Sequence, residues 1–360
     1  KNIVPIVPDE ARTFGMDGLF RQFGIYSREG QKYQPEDADK VMWYRESKDG
    51  VMLEEGINEA GAFSAWIALA TSYANNSLPM IPFYIYYSMF GFQRVHDLAW
   101  AAGDARARGF LLGATAGRTT LNGEGLQHQD GHSHLLAQTI PNCKSYDPCF
   151  DYELAAIIKN GIDDMYVQNN DNYYYLTLMN ENYMHPERPK NLKDFEIMQG
   201  AYLFKKENKA DVRLLASGLT LRFAVEASKK LLDFGVKANI WSITSFNELA
   251  RGGIIADQEK LNEKNSKSYV ESCFEKEMPT VAVSEYQKLY AEQIRKWVNG
   301  NYICLGTDGF GRSDTREKLR EFFEIDSNHI AYNALLACGL NTEAKKFKTK
   351  YKLELNNVNP

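Results

Sequence analysis

Short apolar runs alternate with amphipathic stretches along most of this chain, and that alternation limits the fold more than any other feature. A run of four to seven apolar residues without polar alternation needs cover on both faces, which a parallel sheet flanked by helices provides. Strands are expected at 2–7, 80–86, 109–114, 143–146 and 173–178, with helices at 58–73, 92–106 and 152–166. A second series places strands at 212–216, 238–243, 280–284 and 302–305, and helices at 221–234, 287–298 and 316–323. The segment HPERPKNL, residues 185–192, has two prolines and mixed charge and separates the two series. The expected fold class is therefore α/β, two three-layer domains with mostly parallel sheets, at 1–188 and 189–360. A length of 360 residues suits that number of cores.

Composition excludes several function classes. With 44% apolar and 25% charged residues, the chain reads as a globular protein, and no apolar run reaches the roughly 18 residues a membrane span needs. The most apolar stretch, PMIPFYIYYSMFGF, carries Pro, Tyr and Ser and reads as a buried strand running into a loop. A net charge of −5 with lysines scattered among acids offers no basic stripe for a nucleic acid. Five cysteines without CxxC spacing fit a reducing cytoplasm. The chain starts at Lys1 with strand-like NIVPIV and no initiator Met, as a piece of a longer polypeptide would. The charged segment 258–276 reads as a solvated excursion, and the Lys-rich tail as a solvated end.

Two segments, 27–50 and 116–142, lack either periodicity. Long unpatterned segments in a compact α/β chain are commonly functional, so chemistry is sought in the first domain. The second of them holds GEGLQHQDGHSH, with three of the six histidines within seven positions. The spacing of His128, His132 and His134 fits neither one helical face nor two adjacent strands, so a metal site is disfavoured. Acid/base or substrate-binding work, with Glu124 and Asp130 nearby, and ordinary hydrogen-bonded loop histidines both remain open. Glu59 opens a helix after Gly56-Ile57-Asn58, where an acid is favoured by the helix dipole alone. GTDGFG at 306–311 is not a dinucleotide fingerprint, and neither a P-loop nor a GxSxG elbow occurs.

Five motifs together carry a resemblance: DEARTFGMDGLF (9–20), EEGINEAGA (54–62), PFYIYYSMFGFQR (82–94), GRTTLNGEGLQHQDGHSH (117–134) and LGTDGFGRSDTREKLREFFEID (305–326). The chain closely resembles the C-terminal half of the homodimeric, decarboxylating first component of the pyruvate dehydrogenase complex, a thiamine diphosphate enzyme related to transketolase. The resemblance implies a middle, pyrimidine-binding domain followed by a transketolase C-terminal-like domain. The family's N-terminal domain, which holds the diphosphate and Mg2+, has no counterpart here, so this portion alone is expected to be inactive. Glu59 matches the glutamate that bonds a ring nitrogen of the aminopyrimidine and shares a proton with it. Phe90 matches the aromatic stacked on that ring, and Ile57 the bulky apolar residue that holds the coenzyme bent. His128 matches an active-site histidine near the substrate, with Glu124 and Tyr87 as polar neighbours. Asp9 and Glu10 match acids close to the coenzyme, and Asp37 falls in a loop that substrate orders.

No role is implied for His132 or His134. Phe63 and Ala65 depart from the family pattern in size, and 185–192 also differs. Implied partners are pyruvate, the lipoyl domain of the dihydrolipoamide acetyltransferase and a second copy in a homodimer, in a cytoplasmic setting that leads from glycolysis to acetyl-CoA. A transketolase-type sugar enzyme, or a catalytically silent dimerisation or core-docking module, are the alternatives.

Overall fold

The computed structural model describes residues 2–8, 11–36 and 44–355. Within them the apolar runs assemble two separate sheets. The first contains β1 (Ile3–Val7), β4 (Leu53–Glu54), β5 (Ile81–Tyr87), β6 (Phe110–Ala114), β7 (Cys143–Tyr146) and β8 (Tyr173–Thr177), in the order β4-β1-β5-β6-β8-β7, and every pairing is parallel. A small parallel pair, β2 (Ile25–Tyr26) with β3 (Glu46–Ser47), lies beside it. The second sheet contains β9 (Tyr202–Lys205), β10 (Val212–Ser217), β11 (Ala238–Ile243), β12 (Thr280–Val283) and β13 (Tyr302–Leu305), in the order β13-β12-β10-β11-β9. Only the edge strand β9 of this sheet runs antiparallel.

Both faces of each sheet are covered, which explains why the strands read as apolar runs. Tyr84, Tyr86, Tyr173 and Tyr175 point to the face packed by Phe63 and Trp66 of the Glu59–Ala70 helix and by Phe92 of the Gly91–Asp104 helix. Their neighbours Ile85, Tyr174 and Leu176 point the other way, against Ala156 and Ile157 of the Asp151–Ile162 helix. The second sheet repeats the plan. Leu214, Ile240 and Val281 meet the Thr220–Leu232 and Ser327–Ala337 helices, while Leu215, Ile243 and Ala282 meet the Phe246–Leu261 helix.

Several expectations need correction. Segment 116–142 contains a helix, Ser133–Gln138, and a 3-10 turn, Leu126–His128. Segment 258–276 is not a solvated excursion. It holds the end of the Phe246–Leu261 helix and a Tyr269–Phe274 helix whose Val270 and Phe274 are buried. Ser268 starts that second helix with a reciprocal cap, its backbone N–H donating to the Glu271 carboxylate at 2.8 Å and its hydroxyl accepting from the Glu271 N–H at 3.2 Å. The Lys-rich tail is likewise structured, as an Asn341–Tyr351 helix that buries Ala344 and Phe347. The expected helix at 287–298 divides into Lys288–Glu292 and a 3-10 turn, Arg295–Trp297.

The two halves meet through buried polar side chains as well as apolar ones. Asp147, just beyond β7, accepts from Thr177 Oγ1 and Ser217 Oγ at 2.7 Å each, at the ends of β8 and β10. Its backbone N–H donates to the Thr244 carbonyl at 2.8 Å. His134 is fully buried here: its Nε2 lies 3.0 Å from Thr177 Oγ1, and its ring stacks on Tyr290 at 4.8 Å. Burial pushes the Asp147 carboxyl up to about 7 and the His134 imidazole down to about 3.

Candidate active site

Strand β5 delivers the site. Its sequence IPFYIYY ends at Tyr87, three residues continue to Phe90, and the Gly91–Asp104 helix then begins. Gly91 is required at that turn, since a Cβ there would lie 1.9 Å from Tyr86 Cε2. Phe90 is thereby held at a strand's C-terminal end, where parallel sheets place functional groups. Glu59 arrives from the neighbouring helix. Asn58 caps that helix by accepting the Gly61 N–H at 3.1 Å, and Glu59 is its first residue.

These residues and His128 form one connected group. The Arg94 guanidinium donates to Glu59 Oε1 at 2.6 Å and lies 4.0 Å from the Phe90 ring centre. The Phe90 and His128 rings meet edge to face at 5.0 Å, and Tyr87 meets the same imidazole at 5.6 Å. Phe14 packs edge-on against Tyr87 at 5.5 Å and lines a cavity of about 450 Å3 that also touches Ile85, Ala114 and Thr115 at strand ends. Ile57, immediately before the Asn58 cap, is 66% exposed. Glu124 is half-buried in a turn after Gly123, two residues before the 3-10 turn that carries His128.

Expected residues not in this group are placed as follows. His132 lies 2.7 Å from Gln93 through Nε2, next to the group but outside its ring contacts. His134 belongs to the junction between the halves. Asp9, Glu10 and Asp37 lie outside the described residues. Among the described residues no cluster of three His, Cys, Asp or Glu could hold a metal ion, and no helix is long and apolar enough to cross a membrane. All five cysteines are free, and burial pushes the Cys143 thiol up to about 12.

Sequence reasoning missed four contributors, Arg94, Arg118, Glu285 and Arg316. Arg94, one helical turn after Phe90, was readable from its spacing of four. Arg118 and Glu285 were not, because their partners lie across the two halves. The buried Arg118 donates to the carbonyls of Thr307 and Gly309 in the GTDGFG loop. The buried Glu285 accepts from Thr119 and, at 2.8 Å, from Thr120, and burial pushes its carboxyl up. Arg316 adds a bond to the Thr120 carbonyl at 2.7 Å. The second half thus clamps the loop that presents His128.

The donor set suits a flat, nitrogen-containing heterocycle. An acid sits at a helix start, Arg94 links it to an aromatic face, and an exposed aliphatic side chain, Ile57, comes two residues before the acid in sequence. His128 adds a buried Nδ1 that has no hydrogen-bonding partner among the described residues. Such a nitrogen is costly unless a ligand or water completes it.

The fold and this strand-end site define the class. The structure superimposes on transketolase from Leishmania mexicana with a TM-score of 0.70 over 100% of this chain and 44% of that one, at 16% identity, so the likeness is one of fold. The family model for the pyruvate dehydrogenase E1 component middle domain matches residues 1–186, and that for the transketolase-like C-terminal domain matches 200–326. The chain belongs to the pyruvate dehydrogenase E1 component family. It is 59% identical over 344 residues to the pyruvate dehydrogenase E1 component of Pseudomonas aeruginosa, covering 93% of this chain and 39% of that protein. For the Escherichia coli (strain K12) E1 component the identity is 50% over 373 residues, covering 99% and 42%. The chain therefore spans about two fifths of the length of the curated relatives it matches.

Proposed function

We propose that this chain is the aminopyrimidine-binding and C-terminal portion of a thiamine diphosphate-dependent enzyme that decarboxylates pyruvate and reductively acetylates a lipoyl group. The observation that carries the reading is the convergence of Glu59, Phe90 and His128 at one strand end, in a chain of this family. Bound coenzyme supplies a carbon nucleophile and an electron sink for loss of carbon dioxide. Glu59 accepts or shares a proton at a ring nitrogen of the pyrimidine, and Phe90 offers it a face. Ile57 presses on the coenzyme from the exposed side. His128 and Tyr87 orient the keto acid's carboxylate or the lipoyl acceptor by donating hydrogen bonds where negative charge gathers, with Glu124 as a polar neighbour in the same pocket. Asp9, Glu10 and Asp37 are assigned the positions that the family resemblance gives them. Diphosphate and Mg2+ are held by a segment outside these 360 residues.

The reading includes domains at 1–188 and 189–360, a homodimer, a cytoplasmic location and the lipoyl domain of a dihydrolipoamide acetyltransferase as partner. The complete polypeptide, supplied with thiamine diphosphate and Mg2+, tests the substrate class. Release of carbon dioxide from pyruvate with acetylation of a lipoyl domain is expected. Turnover of a ketose phosphate in place of pyruvate would overturn the assignment.

A further inference from the structure

We propose that Arg118 is a positioning residue for His128, and that the GTDGFG loop of the second half, residues 306–311, is the fixed seat against which it works. The proposal rests on the reading of His128 as a group that orients substrate. Arg118 is buried, and its guanidinium joins segments that lie 189 to 191 residues apart in sequence. It donates to the Thr307 and Gly309 carbonyls of the GTDGFG loop and, more weakly, through Nε at 3.4 Å to the carbonyl of Gln129, the residue that follows His128. A buried cation is costly, and a guanidinium is the side chain that offers donors to several carbonyls from one rigid plane. Gln129, fully buried, carries the rest of the hold. Its Oε1 accepts the Arg312 N–H at 2.7 Å, and its Nε2 donates to the Leu121 carbonyl at 2.8 Å. Two glycines keep these contacts close: a Cβ on Gly131 would lie 2.4 Å from Arg118 Cζ, and one on Gly311 would lie 2.4 Å from Gln129 Oε1 and 2.8 Å from the Leu126 carbonyl oxygen. His128 therefore ends its 3-10 turn one peptide bond from an immobilised residue, with its ring against Phe90 and Tyr87. Arg118, Gln129 and Thr307 are enclosed by this chain itself, so a second copy or a further segment packing on its outside leaves their bonds in place. The second half thereby takes part in substrate handling without touching the substrate.

The test is steady-state kinetics of the complete polypeptide containing this chain, with thiamine diphosphate, Mg2+, pyruvate and a lipoyl domain, in the wild type, R118K, G311A, H128A, R118K/H128A and G311A/H128A forms. Lysine keeps the charge but cannot hold three carbonyls in one plane, while alanine at 311 pushes the same turn from the second half and leaves the charge alone. Each should lower about ten-fold the same constant that H128A lowers, kcat/KM for pyruvate or for the lipoyl domain, as a misplaced orienting group does. In the H128A background the further loss should be less than about two-fold, because the ring being positioned is gone. Thiamine diphosphate affinity, from calorimetry, should stay within about two-fold of the wild type, since Glu59 and Phe90 come from other elements. Losses of equal size with and without His128 would assign these contacts to the fold alone and overturn the positioning role, as would wild-type kinetics in R118K and G311A. If thermal unfolding shows R118K to be unfolded, G311A decides by the same criteria, and failure of both to fold also overturns it. Unchanged kinetics in H128A would remove the reading of His128 itself, and the positioning role with it.

Discussion

Asp147 and His134 sit side by side at the junction of the two halves and make opposite demands on pH. The buried Asp147 carboxyl titrates near 7 in the folded chain, against 3.8 for an unperturbed one. Between those values the folded state keeps a proton that the unfolded state has released, so its contribution to stability falls as pH rises. The buried His134 imidazole titrates near 3 against an ordinary 6.5, so between those values only the unfolded state is protonated. Its contribution falls as pH drops. At 1.36 kcal/mol per pKa unit, each group is worth at most about 4 to 5 kcal/mol across its window, and the slopes oppose one another between roughly pH 4 and 6.5. Asp147→Asn mimics the protonated carboxyl: its one oxygen can accept from one of the Thr177 and Ser217 hydroxyls while its NH2 donates to the other, as a carboxylic O–H would. The stability of the wild type minus that of D147N, from denaturant unfolding at a series of pH values, should therefore fall by a few kcal/mol from pH 4 to pH 8. The variant itself should become more acid-sensitive, because the histidine is no longer offset. A difference that stays flat across that range would refute the claim that Asp147 is buried and proton-bound.

Two further substitutions test packing that the sequence concealed. Gly117→Ala places a Cβ at a residue with φ of +88° and 1.8 Å from Glu285 Oε2, so the loop carrying His128 should lose its clamp at a cost of about 1–3 kcal/mol. Limited proteolysis should then cut within 117–130 well before the rest of the chain unfolds. Phe347→Ala removes a fully buried ring of the lysine-rich C-terminal helix, which packs on Phe234 at 5.3 Å. A loss of about 3–5 kcal/mol in denaturant unfolding is expected, whereas a solvated tail would show almost none.

Most strands of both sheets were legible because they are covered on both faces and are therefore rich in apolar residues, although β7 (CKSY) and β10 (VRLLAS) carry polar ones. Helices whose composition hides their buried face were not. The Phe246–Leu261 helix contains Gly252 and Gly253, which argue against a helix on propensity alone. Gly253 is there because Trp297 leaves no room, as a Cβ would come 2.6 Å from the indole. The Asn341–Tyr351 helix shows four lysines and hides one phenylalanine, so charge masks its main anchor. Edge strand β9 pairs antiparallel, which leaves no mark in a parallel-sheet pattern.

At the site, the family resemblance singled out Glu59, Phe90 and His128, which spacing alone left open, and the structure brings them together. The resemblance could not show that Arg118, Glu285 and Arg316 hold the His128 loop from the other half of the chain, since those bonds span 165 to 196 residues of sequence. Nor did spacing separate the three histidines. His128 stands with Phe90 and Tyr87, His132 meets Gln93, and His134 is buried among Tyr175, Tyr286 and Tyr290.

The account depends most on the Glu59 carboxyl exchanging a proton with the coenzyme's pyrimidine. Glu59→Gln keeps the shape and removes the exchangeable acid, and losing its surface-side pair with Arg94 should cost at most about 1 kcal/mol of stability. Pyruvate turnover by the complete E59Q polypeptide, measured with saturating thiamine diphosphate and Mg2+, should fall by about 100-fold or more while thermal unfolding stays close to wild type. Turnover within a factor of a few of the wild type would contradict it.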